Sequence, residues 1–377
     1  MNNLNEIQKE LIAQIKKYSV SNIEKYLEED DETQTFRMEI FQGLSQLGVT
    51  GIGINEKYGG IELGLYDFSI FLQEIAKTSV SYAVTISVSN MVQSMIQQFG
   101  TSEQKENYLP SLTSGEEIAA FALSETSSGS DAIALKTKAT KTDGGYLLNG
   151  SKMWITSGGI AKTYLVMART SNEKSKGITA FIVRDGTEGF TYGKKENKLG
   201  WRSSPTRELI FENCFISDNQ ILGNIGDGFK IAMTALDKGR ITIGSIAVGL
   251  ANRSISEALE YTKSRKQFEK ELIEFQGLQF MLAEMATETK ASELLIKEAA
   301  QLYDQGQNVT LIASMAKLKA TENSMKVSTD CVQMLGGVGF TKEFPLERYM
   351  RDAKGLQIVE GTNQIQKIVI SRELTKG

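Results

Sequence analysis

The chain has 377 residues, 41 % of them hydrophobic and 23 % charged, with a formal net charge of −4. That length carries two or three domains' worth of core, and so small a negative charge gives no electrostatic reason to bind nucleic acid or an anionic membrane. The chain contains no histidine, which excludes Ser-His-Asp and Cys-His nucleophilic mechanisms and His-ligated metals together, and leaves proton transfer to Asp, Glu, Lys, Tyr or a cofactor.

Residues 1 to 119 predict a helical N-terminal domain. Leu4, Ile7, Leu11, Ile12 and Ile15 recur at helical spacing, and so do Ile70, Leu72, Ile75 and Ala76. The mixture of Glu and Lys between Met1 and Val20 predicts no secretory signal, and no apolar run approaches the ~20 residues of a membrane span. The stretch G-I-G-I-N-E-K-Y-G-G from Gly51 to Gly60 predicts a loop. Gly100, Thr101 and Glu103 read as one helix stop followed by the start of the next.

Residues 120 to 227 change character. Tyr146 to Leu148, Thr163 to Ala168 and Ile178 to Val183 are short β-branched and aromatic runs, with turns at Gly144-Gly145 and Lys176-Gly177. They predict a middle β domain, a small barrel or sandwich. Residues 228 to 377 return to helix. Leu278, Met281, Leu282 and Met285 form one apolar stripe, and only Pro345 interrupts this part of the chain. Four long helices in an antiparallel bundle are expected there. The fold class is therefore α+β: helices, then sheet, then helical bundle. Cys214 and Cys331 lack metal-ligand spacing and read as reduced core thiols of a cytoplasmic protein.

Leu356 to Gln366 reads L-Q-I-V-E-G-T-N-Q-I-Q. Glu360 follows an apolar pair, and desolvation raises a carboxyl toward the range of a general base. Gly361 lets backbone approach a ligand, and Thr362 can cap a following helix. From these residues alone, a glycine-broken loop before a terminal helix, with a solvated Glu, is the plainer reading. Phe121 to Asp131 reads F-A-L-S-E-T-S-S-G-S-D, a turn in which Gly129 would tolerate positive φ. Lys152 to Gly159 reads K-M-W-I-T-S-G-G, where Trp154 on residue type alone reads as core. Asp237 to Arg240 reads D-K-G-R, an acid and a base three apart on a helix.

These stretches, together with Q-M-L-G-G-V-G-F-T-K-E-F-P-L-E-R-Y-M-R-D from Gln333 to Asp352, resemble the signature stretches of the acyl-CoA dehydrogenases. The resemblance runs from the loop near Gly53 to the terminal helix. It implies bound FAD, with Phe121, Leu123 and Ser124 against the flavin, Trp154 shielding one side of it and Thr156 hydrogen-bonding near its reactive nitrogen. It places Arg265, Gln267, Phe268, Phe275 and Gln276 toward the pyrophosphate, and Gln333, Gly336, Gly337, Thr362 and Gln364 around the adenosine end. Ser130, Asp237 and Gly361 fall at acyl-CoA positions, and Arg240 supports the loop of the base. Some relatives carry the base at the position of Gly239, which here has no side chain, so Glu360 is the base. Two departures stand out: Thr126 where the family usually has Pro, and Glu269 where it usually has Gly, the latter expected to face solvent.

What the resemblance implies for function is α,β-dehydrogenation of an acyl thioester. Glu360 would remove the α-proton, the β-hydride would pass to the flavin, and the Glu360 N–H with a ribityl hydroxyl would polarise the carbonyl. Electrons would go on to an electron-transferring flavoprotein. Cofactor contacts across a subunit interface imply a homotetramer or homodimer. A thioester on an acyl-carrier protein is an alternative substrate, and a non-catalytic helical scaffold an alternative of another class. Acyl-chain length stays open, although Val359 and D-K-G-R-I lean toward short-chain members.

Overall fold

The computed structural model describes residues 4–376. The N-terminal part holds α1 (Glu6–Asn22), α2 (Leu27–Thr33), α3 (Met38–Gln46), α4 (Leu65–Thr78), α5 (Val80–Phe99) and α6 (Ser102–Thr113). α1 starts at a capping box, Asn5 and Gln8 each accepting from the other's backbone N–H at 2.8 and 2.9 Å. A second box, Thr101 with Gln104, starts α6 directly after the Gly100 stop. α5 is buried on almost every side, although it carries Ser87, Ser89, Asn90 and Gln93. Buried polar groups must be partnered, and these partners bind the molecule together. Asn90 Nδ2 donates to the Thr50 carbonyl just before the 51–60 loop and to the Ile52 carbonyl within it at 3.0 and 2.8 Å, Ser89 Oγ accepts from Ala119 N, and Ser87 Oγ donates to Thr242 Oγ1 at 2.7 Å.

The middle part is an eight-stranded sheet of β1 (Ala119–Ala122), β2 (Lys138–Thr142), β3 (Gly145–Thr156), β4 (Thr163–Arg169), β5 (Ile178–Arg184), β6 (Phe190–Lys195), β7 (Thr206–Ser217) and β8 (Ile221–Leu222). The order is β6-β7-β3-β2-β4-β5-β8, with β1 added parallel to β4. β2 meets β4 at one pair, Lys138 with Arg169, so the sheet divides there into two antiparallel halves. Tyr146 of β3 packs edge-on against Phe181 of β5, ring centroids 5.4 Å apart, and joins the two halves through the core.

The C-terminal part holds α7 (Gly228–Ser264), a small hairpin of β9 (Lys266–Gln267) and β10 (Lys270–Glu271), then α8 (Gln276–Asp304), α9 (Thr310–Leu335), α10 (Leu346–Leu356) and α11 (Asn363–Leu374). At 37 residues, α7 spans about 55 Å and touches α4, α5, α8 and α9. The bundle differs from the expected four long helices in one respect: three are long, and the fourth is broken into α10 and α11. The break is the segment between Leu356 and Asn363, where Glu360 and Gly361 both take positive φ, 54° and 81°. No α-helix passes through two left-handed residues. Thr362 then starts α11, its side chain accepting from Ile365 N at 3.3 Å. Cys214 and Cys331 are both free and buried, as their lack of ligand spacing suggested. No helix among the described residues is long and apolar enough to cross a membrane.

α4 and α7 approach so closely that a Cβ on Gly249 would come within 2.3 Å of the Gln73 carbonyl oxygen. Alanine is favoured over glycine in a helix by about 1 kcal/mol, but overpacking costs about 1–3 kcal/mol and a backbone oxygen yields least. Gly249→Ala is therefore expected to lower stability by about 1–2 kcal/mol, read from the urea midpoint at unchanged slope. An unchanged or raised midpoint would contradict the contact.

Candidate active site

The break in the fourth helix carries Glu360, and the surrounding elements leave its carboxyl little freedom. Gly239, in α7, faces it: a Cβ built there would lie 2.3 Å from Glu360 Oε2 and 2.6 Å from Cδ. The carboxyl thus fills the volume that any side chain at 239 would occupy. Glu360 Oε2 is sealed from solvent and has no hydrogen-bond partner in the protein. An unpartnered buried carboxylate oxygen is costly, and burial pushes the Glu360 carboxyl up to about 7, against the opposing pull of Arg240 and Lys317.

The backbone around it is held from two directions. Gln366, fully buried in α11, donates Nε2 to the Glu360 and Gly361 carbonyls at 3.1 and 2.8 Å. Lys317, fully buried in α9, donates Nζ to the Gln357 and Gly361 carbonyls and to Asn363 Oδ1 at 3.2, 3.1 and 2.8 Å. The Glu360 N–H donates to no backbone or side-chain acceptor among the described residues, so it remains free for another oxygen. Arg240 is buried in α7 and donates Nη1 to Asp237 Oδ1 at 2.6 Å, while Asp237 Oδ2 accepts from Thr310 Oγ1. Burial pushes Asp237 above the usual carboxylate range, opposed by Arg240.

The sheet presents the second group of predicted residues. Ser124 O accepts from Met153 N at 2.8 Å, so the F-A-L-S-E and K-M-W-I-T-S stretches lie side by side. Trp154 is not core: it takes φ 64° and is 59 % exposed, because register shifts in β3 opposite β7 turn it out of the sheet. Phe121, Ser124 and Thr156 are half-buried, Leu123 is buried and Ser130 is exposed. The turn after Ser124 closes through reciprocal Glu125–Ser128 backbone bonds at 2.9 and 3.1 Å, and Gly129, which could take a positive φ, does not. Once those two residues pair, the turn needs no left-handed position.

Beneath this surface lies a buried ion pair that residue spacing does not single out. Lys152 Nζ donates to Glu125 Oε1 at 2.7 Å and to the Leu123 carbonyl at 3.1 Å. Glu125 also accepts from Lys136 N and Thr137 N. Burial would raise the Glu125 carboxyl, yet Lys152 and these donors hold it below its usual value. One carboxylate therefore fixes three chain segments behind Leu123, Ser124 and Trp154.

Most of the remaining predicted residues lie at the ends of α7, α8 and α9. Arg265, Gln267 and Phe268 lie at and in the β9–β10 hairpin, followed by Phe275 and Gln276 at the start of α8. Phe268 and Phe275 stack edge-on at 6.3 Å, and Phe268 is 87 % exposed. Phe268 and Glu269 both take positive φ, 52° and 65°, which suits a two-residue hairpin turn but strains residues with a Cβ. A glycine at 269 would be free of that strain; Glu269 accepts it with its side chain in solvent, as expected. Gln333, Gly336 and Gly337 end α9, and a Cβ on either glycine would meet nothing within 4 Å. Gln364 is exposed on the first turn of α11. Gln364 therefore stands beside the Glu360 segment, which Gln366 and Asn363 of the same turn help to hold, and not with Gln333 at the far end of α9.

Because the folded protein raises the Glu360 carboxyl to about 7, the native state binds that proton more tightly than the unfolded chain. Its contribution to stability is full below the ordinary carboxyl range and is lost as pH rises through 7. Glu360→Gln is therefore expected to gain stability relative to the parent between about pH 5 and 8. Parallel melting-temperature curves across that range would show instead that the carboxyl is solvated.

Three family models match the chain end to end: the acyl-CoA dehydrogenase N-terminal domain over residues 5–116, the middle domain over 120–214 and the C-terminal domain over 226–375. Isobutyryl-CoA dehydrogenase, mitochondrial, from Dictyostelium discoideum is 41 % identical over 99 % of this chain and 90 % of its own. The short-chain specific acyl-CoA dehydrogenase of Megasphaera elsdenii is 41 % identical over 99 % of both chains. A chain from the structure titled for the electron transferring flavoprotein of Acidaminococcus fermentans superposes with TM-score 0.98 at 40 % identity, covering 100 % of this chain and 99 % of that one. The prolyl acyl carrier protein oxidase AnaB gives TM-score 0.96 at 30 % identity, covering 99 % of each chain. With full-length identity at this level and all three domain models matched in order, this chain belongs to the acyl-CoA dehydrogenase family.

Proposed function

We propose that the protein is a FAD-dependent dehydrogenase of short acyl-CoA thioesters, converting them to trans-2-enoyl-CoA with Glu360 as the base. The observation that carries this reading is the Glu360 carboxyl: buried against Gly239, unpartnered at Oε2 and raised to about 7. A carboxyl poised near neutrality suits proton abstraction.

The residues present fit FAD. Trp154 stands 59 % exposed beside the Ser124–Met153 contact, a large apolar face where a flavin needs a wall. Ser157, at φ 65°, carries a buried hydroxyl with no partner in the protein. The open ground before Gly336 and Gly337 leaves room for a ligand against the backbone. Phe121, Leu123, Ser124, Trp154 and Thr156 would hold the flavin. The exposed Arg265, Gln267, Phe268, Gln333 and Gln364, with Phe275, Gln276 and Thr362, would reach the dinucleotide of a neighbouring subunit in a homotetramer or homodimer. When bound, FAD supplies the acceptor for the hydride that leaves the β-carbon.

The chain itself supplies three things. Glu360 Oε2 takes the α-proton. The free Glu360 N–H donates to the thioester oxygen, so base and oxyanion donor sit on one residue and act on adjacent atoms; one such donor is typically worth ~10²–10³ in rate. Gly239 and Gly361 leave the space, and Arg240 with Asp237 borders the base on the α7 side. Ser130 and Asp237 would contact the acyl-CoA. The electron acceptor is an electron-transferring flavoprotein, and the cytoplasm is the proposed compartment. Short chains are favoured by Val359 beside the base and by the short-chain specific relative.

The test is anaerobic. Purified protein should carry FAD, and butyryl-CoA should bleach its absorbance at least about tenfold faster than palmitoyl-CoA, a step that one or two poorly accommodated methylenes already supply. Colourless protein that takes up no FAD would end this reading. Bleaching by acyl-carrier-protein thioesters, with none by acyl-CoA, would move the enzyme to a biosynthetic substrate.

A further inference from the structure

Lys317 is an unexpected residue to bury. Its side chain is fully enclosed in α9, and none of its hydrogen-bond partners is a carboxylate. An ammonium without a bonded counter-ion costs several kcal/mol to bury, and burial lowers Lys317 to about 7. Its acceptors do not need it. The Gln357 carbonyl also accepts from Asn363 N at 3.0 Å, the Gly361 carbonyl from Gln366 Nε2 at 2.8 Å, and Asn363 Oδ1 from Thr321 Oγ1 at 3.0 Å. Satisfying backbone therefore does not explain the lysine. What does distinguish the site is that the three acceptors flank Glu360, on residues 357, 361 and 363.

We propose that Lys317 is a positioning residue for the base, pinning both ends of the 357–363 segment and adding its charge, when protonated, to that of Arg240 beside the Glu360 carboxyl. This rests on the role given to Glu360 above. The charged groups around the pair come from three helices. α7 brings Arg240 and Asp237, which bond each other at 2.6 Å. α9 brings Glu322, whose partner is Lys367. α11 brings Arg372 and Glu373, which pair with one another. Arg240 acts on Glu360 most strongly but shares its charge with Asp237; Lys317, second in effect on Glu360, has no carboxylate bonded to it, and Glu360 is the largest charge effect it feels. Removing that charge makes Glu360 harder to ionise, so the base form appears only at higher pH.

The experiment compares the parent with Lys317→Met and Lys317→Gln. Both keep the acceptors' second donors, and Gln keeps an N–H without the charge. Flavin bleaching by butyryl-CoA is followed against pH at saturating substrate. The Glu360 carboxyl is titrated in parallel by its infrared band, identified as the band lost in Glu360→Gln. Both variants should move the acid limb and the infrared titration upward by at least about one pH unit, as loss of a nearby opposite charge does. Hydrogen exchange over residues 357–363 should quicken. An unmoved titration in both variants, whatever happens to melting temperature, would reduce Lys317 to a packing role. A shift in Met but none in Gln would assign the effect to hydrogen bonding and overturn the electrostatic role. If the parent fails to bleach at all, the function proposed above fails, while the infrared titration still decides on Lys317.

Discussion

Two groups compete for one volume at the centre of this molecule, the Glu360 carboxyl and any side chain on residue 239. A Cβ there would stand 2.3 Å from Oε2. The absence of a side chain at 239 is thus the condition for a carboxyl from the fourth bundle position to reach α7. Much else follows from it. The carboxyl reaches that volume from a backbone in the left-handed region, so the helix that would carry it must break, and it breaks between α10 and α11. A broken helix exposes carbonyls, and Gln366 and Lys317 bind them. Once enclosed, the carboxyl is hard to ionise, and the two cations beside it, Arg240 and Lys317, offset part of that cost.

The same economy of fixed points appears in the sheet. Glu125 accepts from Lys152 and from the backbone of residues 136 and 137, and by doing so sets the surface on which Ser124 and Trp154 stand. Removing one member of such a buried pair usually costs about 3–5 kcal/mol, since the other is left charged and dry. α5 then joins sheet to bundle through Ser89, which accepts from Ala119 N, and through Ser87 and Asn90, which meet Thr242 and Lys238 of α7. The strand that presents Trp154 and the segment that carries Glu360 are thus each tied to packed elements by buried hydrogen bonds.

Much of this was legible in the chain itself. The run of helix, sheet and helix followed from the change between helical spacing and alternating β-branched segments, because those periods report which face is buried. Glu360, Gly361 and Thr362 were legible because a carboxylate, a flexible residue and a cap stand in sequence. Their long-range neighbours were not. Lys317 lies 43 residues before Glu360 in an ordinary run of Ala, Lys and Met, and Glu125 lies 27 before Lys152; no local period marks a charge that will be buried. Trp154 read as core on residue type alone, since register shifts that turn a side chain outward leave no trace in composition. The break before α11 was legible in Gly361 and Thr362, but the left-handed backbone at Glu360 itself was not. Positive φ at a glutamate is a demand of tertiary structure, and the sequence there shows only one glycine, at 361.

In the reaction proposed above, one carboxylate, on Glu360, takes the proton. The most direct test of this is stopped-flow bleaching of the bound FAD by butyryl-CoA in the parent and in Glu360→Gln, which is nearly isosteric and adds no proton acceptor. With no histidine in the chain and no side chain on Gly239, the account predicts that the variant keeps FAD and binds the thioester but bleaches slower by ~10²–10⁴ or more, the range of a general base. Bleaching within about tenfold of the parent, below that range, would mean that another group removes the proton, and the role given to Glu360 would be wrong even with the fold and the cofactor unchanged.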